Sequence, residues 1–175
     1  MTINKRWFAT GYMIGFIRKV FLDKKGSAVM LAGLLFAVVM FTFAMYILEY
    51  KILLTVRDKI DDAIVGAQLA AFGTADKEKL SYGKIVLPET SARNVFEVYL
   101  AANLEGIAAG PISVDEFIIY NPGDYPTTCP RGHQITETTI HCVVTVPVKR
   151  PVFKGLLGET LNITIHRDSD SIFLN

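Results

Sequence analysis

The chain has 175 residues, which leaves room for one domain of roughly 100 to 125 residues beside a membrane span and excludes a second core. Its net charge of +1 hides an asymmetry: residues 1 to 26 carry six basic side chains (Lys5, Arg6, Arg18, Lys19, Lys24, Lys25) against Asp23, so this stretch is +5 and residues 27 to 175 are −4. The basic flank is interleaved with Trp7, Phe8, Tyr12, Phe16 and Phe21 and lies against an apolar run, which points to membrane lipid headgroups and away from nucleic acid.

Trp7 to Ile17 is apolar but too short to cross a bilayer as a helix. Trp7, Met13 or Ile14, Ile17, Val20 and Phe21 recur at helical spacing, which predicts a segment lying along the inner membrane surface. Ala28 to Leu48, AVMLAGLLFAVVMFTFAMYIL, is 21 residues without a charge. At about 1.5 Å rise per residue it spans roughly the 30 Å hydrocarbon core of a bilayer, with its backbone groups bonded internally, and reads as one transmembrane helix. The charge asymmetry places residues 1–26 in the cytoplasm as a basic leader, the span at 27–48, and residues 49–175 outside, an expected single-pass cell-membrane topology. Gly33, Ala37 and Ala44 are small residues within the span that allow close helix approach.

The helical pattern runs on past the span. From Glu49 to Phe72 there is no proline, and Ile52, Val56, Ile60, Ala63 with Ile64, Ala67 and Ala71 form one stripe, with Gly73 placed to cap the end. This predicts one helix of about 45 residues, roughly 65 to 70 Å long. Thr74 to Lys84 reads as a polar connector. Beyond Pro88, with Thr90 or Ser91 as N-cap, Val95, Phe96, Tyr99, Leu100 and Leu104 mark a second helix ending at Gly106, whose stripe pairs with Ile52 to Ala71.

After Gly110-Pro111 the period changes from helical to extended. Strands are predicted at Val114 to Tyr120, Thr138 to Val148 and Thr160 to Arg167, with Asn121-Pro122-Gly123-Asp124 breaking the first. In the second, Ile140, Cys142, Val144, Val146 and Val148 share the inward face, while Thr139, His141, Val143 and Thr145 share the outward one. Pro147 places that strand near a sheet edge or at its frayed end. In the third, Leu161, Ile163 and Ile165 point inward and Asn162, Thr164 and His166 outward. The expected fold is α+β: a long N-terminal transmembrane helix extending outside the membrane, a second packing helix, and a small three-stranded antiparallel sheet. Val152, Phe153, Leu156 and Leu157, between the last two strands, must pack on the domain or contact a partner.

Cys129 and Cys142 both lie beyond the span. A disulfide between them is the first reading, stabilising by roughly 3 kcal/mol in the chain-entropy model, and two free buried thiols are the alternative. A zinc quartet of Cys129, His133, His141 and Cys142 has a C-x3-H-x7-H-C spacing that matches no closed site.

Three features together resemble TadE/TadG-like pseudopilins, minor components of the tight-adherence (Tad/Flp) branch of type IV pilus systems. They are Lys24-Lys25-Gly26-Ser27 before the span, a helix continuing into IDDAIVGAQLAA (Ile60 to Ala71), and a valine-rich strand joined through PVFKGLLG to LNITI. The resemblance covers residues 24 to 72 and 138 to 168. It implies a structural role in assembling a pilus or related secretion apparatus, through contacts of the helix with other pilin-like or assembly subunits. Family members are cut after the glycine by a prepilin peptidase, and the matching bond here is Gly26-Ser27. A glutamate commonly stands five residues after the cut and Leu31 stands there in this chain, which fits a subunit that stays in the membrane.

Catalytic signatures are missing: there is no HExxH, G-x-S-x-G, Walker loop or G-x-G-x-x-G. His133 falls in a loop and His141 and His166 on outward strand faces, where solvated surface is the expected state. Asp61-Asp62 and Asp115-Glu116 are adjacent pairs that diverge on a regular helix or strand. The expectation is a non-enzyme without cofactor or metal. Against the pilin-like reading stands a membrane-tethered accessory or ligand-binding subunit of a conjugation or envelope complex, recognising its ligand through the loop from Asn121 to Glu137.

Overall fold

The computed structural model describes residues 24–171. The surface-lying segment read at Trp7 to Phe21, and most of the basic leader, fall outside the described residues. Helix α1 runs Lys24–Phe72, 49 residues, as the unbroken pattern predicts. Among the described residues it is the one helix long and apolar enough to cross a membrane, and this is compatible with a single membrane anchor. The chain divides into two units, one ending at Leu48 and one beginning at Glu49.

In the first unit the apolar side chains are exposed around the helix, among them Leu34, Phe36, Val39 and Phe41. A helix apolar on every side finds no water-soluble resting state, so lipid or other helices must cover it.

The second unit is an α+β domain. The α1 residues Ile60, Ala63, Ile64, Ala67, Ala71 and Phe72 enter its core. Val56 packs partly against that core, but Ile52 is 37% exposed and Leu53 takes the place expected of it. Repeated four-residue steps drift around a 3.6-residue helix, which carries Ile52 off the buried stripe. Gly73 closes the helix without a left-handed φ. Its N–H donates to Ala70 O at 3.0 Å, and a Cβ there would lie 3.0 Å from that same oxygen.

The expected connector contains a short helix, α2 (Lys77–Ser81), capped by Asp76, whose carboxylate accepts from the N–H groups of Glu78 and Lys79. Asp before a charged, proline-free turn is an N-cap signal. Helix α3 (Glu89–Asn103) starts after Pro88 with no side-chain cap, correcting the Thr90 or Ser91 assignment. Its buried positions are Ala92, Phe96 and Leu100, continued by Leu104, while Tyr99 is exposed. Phe96 stacks on Phe117 with ring centroids 5.0 Å apart, a pair worth about 0.5–1.5 kcal/mol beyond its area. Gly66 brings α1 and α3 close, since a Cβ there would touch the Asn103 amide at 3.4 Å.

Strands β1 (Ser113–Tyr120), β4 (Thr139–Lys149) and β5 (Thr160–Asp170) form an antiparallel sheet in the order β1-β4-β5. A separate hairpin pairs β2 (Thr127–Thr128) with β3 (Gln134–Ile135). A short helix, α4 (Lys154–Leu157), lies in the β4–β5 connection. There Leu156 and Leu157 are exposed. The buried Glu49 carboxylate fastens this connection by accepting from Arg150 Nη1 at 3.3 Å and Phe153 N at 3.0 Å.

Pro147 sits in the central strand, so the edge alternative is corrected, while the frayed-end alternative fits the β1 side. It is tolerated because β1 pairing ends at Ser113↔Thr145. Ala109 N donates to Pro147 O at 2.7 Å, which marks the β1 side as the one Pro147's own nitrogen faces, where no strand asks for an N–H.

The inward face of β4 is as predicted: Ile140, Cys142, Val144, Val146 and Val148 are all buried in one cluster with the helices. The outward face is not. Thr139, His141 and Val143 are also buried, and the cover over His141 includes Cys129 from the segment between β1 and β4 that carries the β2–β3 hairpin. Asn121 starts that segment by clamping the chain before α3. Its Oδ1 accepts from Leu87 N and its Nδ2 donates to Leu87 O.

Candidate functional site

The covered face of the sheet gathers the chain's unusual polar chemistry. His141 and Asp168 are register partners across β4 and β5, and His166 stands two residues before Asp168 on the same face. Cys129 arrives from the hairpin turn, held by Cys129 N donating to His133 O and Gly132 N donating to Cys129 O, each at 2.9 Å. The Cys129 sulfur, one nitrogen from each of His141 and His166 and an Asp168 oxygen all lie within 4.8 Å of one another.

Individual separations are short. His141 Nδ1 is 2.7 Å from Asp168 Oδ1 and 3.4 Å from His166 Nε2. His166 Nε2 is 3.2 Å from Asp168 Oδ2, and Cys129 Sγ is 3.6 Å from the same oxygen. The far side of the His141 ring meets Glu116 Oε2 at 3.1 Å through Nε2. His141 is 0% exposed and Cys129 3%, whereas the His166 side chain is 32% exposed. Burial first, then repulsion from the ionised forms of Cys129, Asp168 and Glu116, pushes the neighbouring Tyr120 hydroxyl upward. His141 therefore corrects the expectation of a solvated outward histidine.

A β-bulge between Val114 and Glu116 suspends the alternation of β1. Asp115 accepts from Ser113 Oγ and Thr145 Oγ1, each at 2.6 Å, while Glu116 reaches His141. Both adjacent carboxylates thus find partners on the same face, against the divergence expected of a regular strand. The two hydroxyls, Ser113 first and Thr145 second, hold the Asp115 carboxyl below the usual range.

The cysteines are not joined. Cys142 points to the helix side of β4, where Gln68 Nε2 approaches its sulfur at 3.4 Å, while Cys129 lies on the opposite face. The sheet stands between them, which no short loop closure can bridge. Burial pushes the Cys142 thiol up to about 12. Of the quartet considered from spacing, His133 is exposed and Cys142 faces away; Asp168 and His166 take their places. The signal that was available lay in the period-two placement of His141, His166 and Asp168, all on the outward face of neighbouring strands.

The residues read as helix-packing positions divide between the two units. Gly33, Ala37 and Ala44 are exposed, with nothing within 4 Å of a Cβ placed at Gly33, whereas Ile60 and Ala67 are core. Gly26 and Ser27 belong to the first turns of α1. Comparison with protein-family models, curated proteins and solved structures returns no match.

Proposed function

We propose that this chain is a pilin-like, single-pass membrane protein with a structural role in assembling a Tad/Flp-type pilus or related secretion apparatus. Its N-terminus is cytoplasmic and residues 49–175 are extracytoplasmic. It acts through contacts and not through catalysis. The observation that carries the reading is the composition of α1, a helix of 49 residues. Its first part is apolar and uncovered, and its second part forms the spine of a folded domain. A helix built in this way is held by lipid and remains free to pack against helices of other subunits through Gly33, Ala37 and Ala44. The basic residues of the flank favour the cytoplasmic leaflet.

N-terminal sequencing and intact mass of the protein from its native membrane test the reading. An N-terminus at Ser27, with a prepilin peptidase, pilus ATPase or platform protein copurifying, is the expected result for a processed subunit. An uncut N-terminus with the same partners supports a permanently anchored assembly subunit. A monomer with an intact N-terminus and none of these partners in native-membrane pull-downs would sink the proposal.

A further inference from the structure

We propose that Cys129, His141, His166 and Asp168 bind one zinc ion, in a closed tetrahedral site that staples the loop between β1 and β4 onto the sheet. The site is independent of the assembly role proposed above.

The donor set is the first argument. One thiolate, two imidazoles and one carboxylate are the ligand types of zinc, and together with Zn²⁺ a thiolate and a carboxylate leave no net charge. Geometry is the second. Bonds of about 2.0–2.3 Å in a tetrahedron place nitrogen and oxygen donors roughly 3.4 Å apart and a sulfur about 3.6 Å from an oxygen. Here the two imidazole nitrogens are 3.4 Å apart, His166 Nε2 and Asp168 Oδ2 are 3.2 Å apart, and Cys129 Sγ and Asp168 Oδ2 are 3.6 Å apart. The sulfur lies within 4.8 Å of both imidazole nitrogens, and the short 2.7 Å contact between His141 Nδ1 and Asp168 Oδ1 is a hydrogen-bond length that metal entry replaces, with Asp168 binding through its other oxygen.

Glu116 is the third argument. It lies 3.1 Å from His141 Nε2, and in the zinc-bound state it accepts that N–H while Nδ1 is left to ligate. A carboxylate behind a ligating histidine fixes the tautomer and raises the ligand's basicity. His166 binds through Nε2 with its proton on Nδ1. On binding, the Cys129 S–H proton and the proton shared between His141 Nδ1 and Asp168 pass to solvent as the sulfur–metal and nitrogen–metal bonds form.

Need is the fourth. The hairpin strands are two residues each, too little pairing to hold a loop by themselves. Four protein ligands leave no open position, so the ion is structural. The competing state is metal-free, with His141 hydrogen-bonded between Asp168 and Glu116.

The test uses the full chain purified in detergent. Elemental analysis should find about one zinc per chain. After a chelator strips the metal, Co²⁺ alone should give tetrahedral visible bands and a near-ultraviolet thiolate-to-cobalt band, and Zn²⁺ should displace both. The thiolate band should vanish in Cys129→Ser and persist in Cys142→Ser, whose sulfur lies across the sheet. His166→Ala, at the most exposed ligand, should keep the far-ultraviolet circular dichroism of the parent and lose the cobalt spectrum. Folded parent protein that holds no zinc and yields no cobalt bands overturns the proposal, as does a thiolate band that survives Cys129→Ser.

Discussion

Over its first half, from Thr139 to Val144, β4 is buried on both faces by different means. On one, Ile140, Cys142, Val144, Val146 and Val148 meet α1 and α3 as an apolar layer. On the other, Thr139 and His141 are also fully enclosed, but each is held by named polar partners. The first face is stabilised by area removed from water, which is non-directional and tolerant of small shifts. The second depends on donors and acceptors in the right places, and one missing partner leaves a buried polar group unsatisfied. An alternating strand between helices and a loop therefore carries a generic side and a specific side.

The largest expected effect comes from emptying the generic side. Ile140→Ala should destabilise the protein by about 2–5 kcal/mol, since the side chain is fully buried and its neighbours close a cavity only in part. Denaturant unfolding of the full chain in detergent, with metal removed, measures it. Zinc binding by the variant should survive. A loss of both together would mean that the two faces are one cooperative unit and that the contrast between them is only chemical.

On the specific side, the matching experiment is withdrawal of the ion. At a free zinc concentration of about 100 times the dissociation constant, bound metal contributes about 2.7 kcal/mol, which a chelator should abolish in the parent protein and leave unchanged in Cys129→Ser. Glu116→Gln should keep the ligands but weaken zinc binding about 10–100-fold. Thermal unfolding at graded free zinc reads both.

How much of this was legible beforehand divides along the same line. The valine alternation of β4, the charge-free run from Ala28 to Leu48 and the proline-free stretch to Phe72 are signals within a few turns or a strand, and both elements, β4 and α1, formed. The burial of His141 is not a local property. It depends on a loop folding back over the sheet and on Asp168 arriving in register from β5, some 27 residues away. Ligand spacing was no guide either, because one donor comes from a turn and three from two strands. The bulge at Asp115 has no glycine or proline to announce it. Asp76, by contrast, was a readable N-cap, and the polar composition around it pointed to a connector instead.

Gln68 is the exception that tests the contrast, a polar side chain on the generic side. It is fully buried in the alanine-rich part of α1. Its Nε2 donates to Ile140 O at 3.0 Å and Arg167 O at 3.3 Å, and its Oε1 accepts from Ser169 Oγ at 2.6 Å. One amide thereby joins a helix to two strands. Gln68→Ala should cost about 1–3 kcal/mol, the penalty of leaving buried partners unsatisfied. Amide hydrogen exchange should show the added loss at the β4–β5 ladder near Ile140. A neutral substitution would mean that water replaces the amide and that the inner face is wetter than its apolar lining implies.

The smallest effect is expected at the rim of the specific side, where Asp115 is exposed and bound by two hydroxyls. Its folded-state pKa is lowered, by Ser113 first and then Thr145. The folded protein therefore holds a proton there less tightly than the unfolded chain does. That contribution is present above the ordinary carboxylate value near 4 and is lost as pH falls through the lowered folded value. Asp115→Asn should flatten the acid limb of a stability–pH curve and shift the neutral-pH denaturant midpoint only slightly, because solvent screens the exposed carboxylate. If the variant instead loses the same amount at pH 7 and pH 3, the ionised charge is irrelevant. Asp115 would then act through the shape of the bulge, and the position of Glu116 behind His141 would depend on that backbone irregularity and not on the carboxylate's charge.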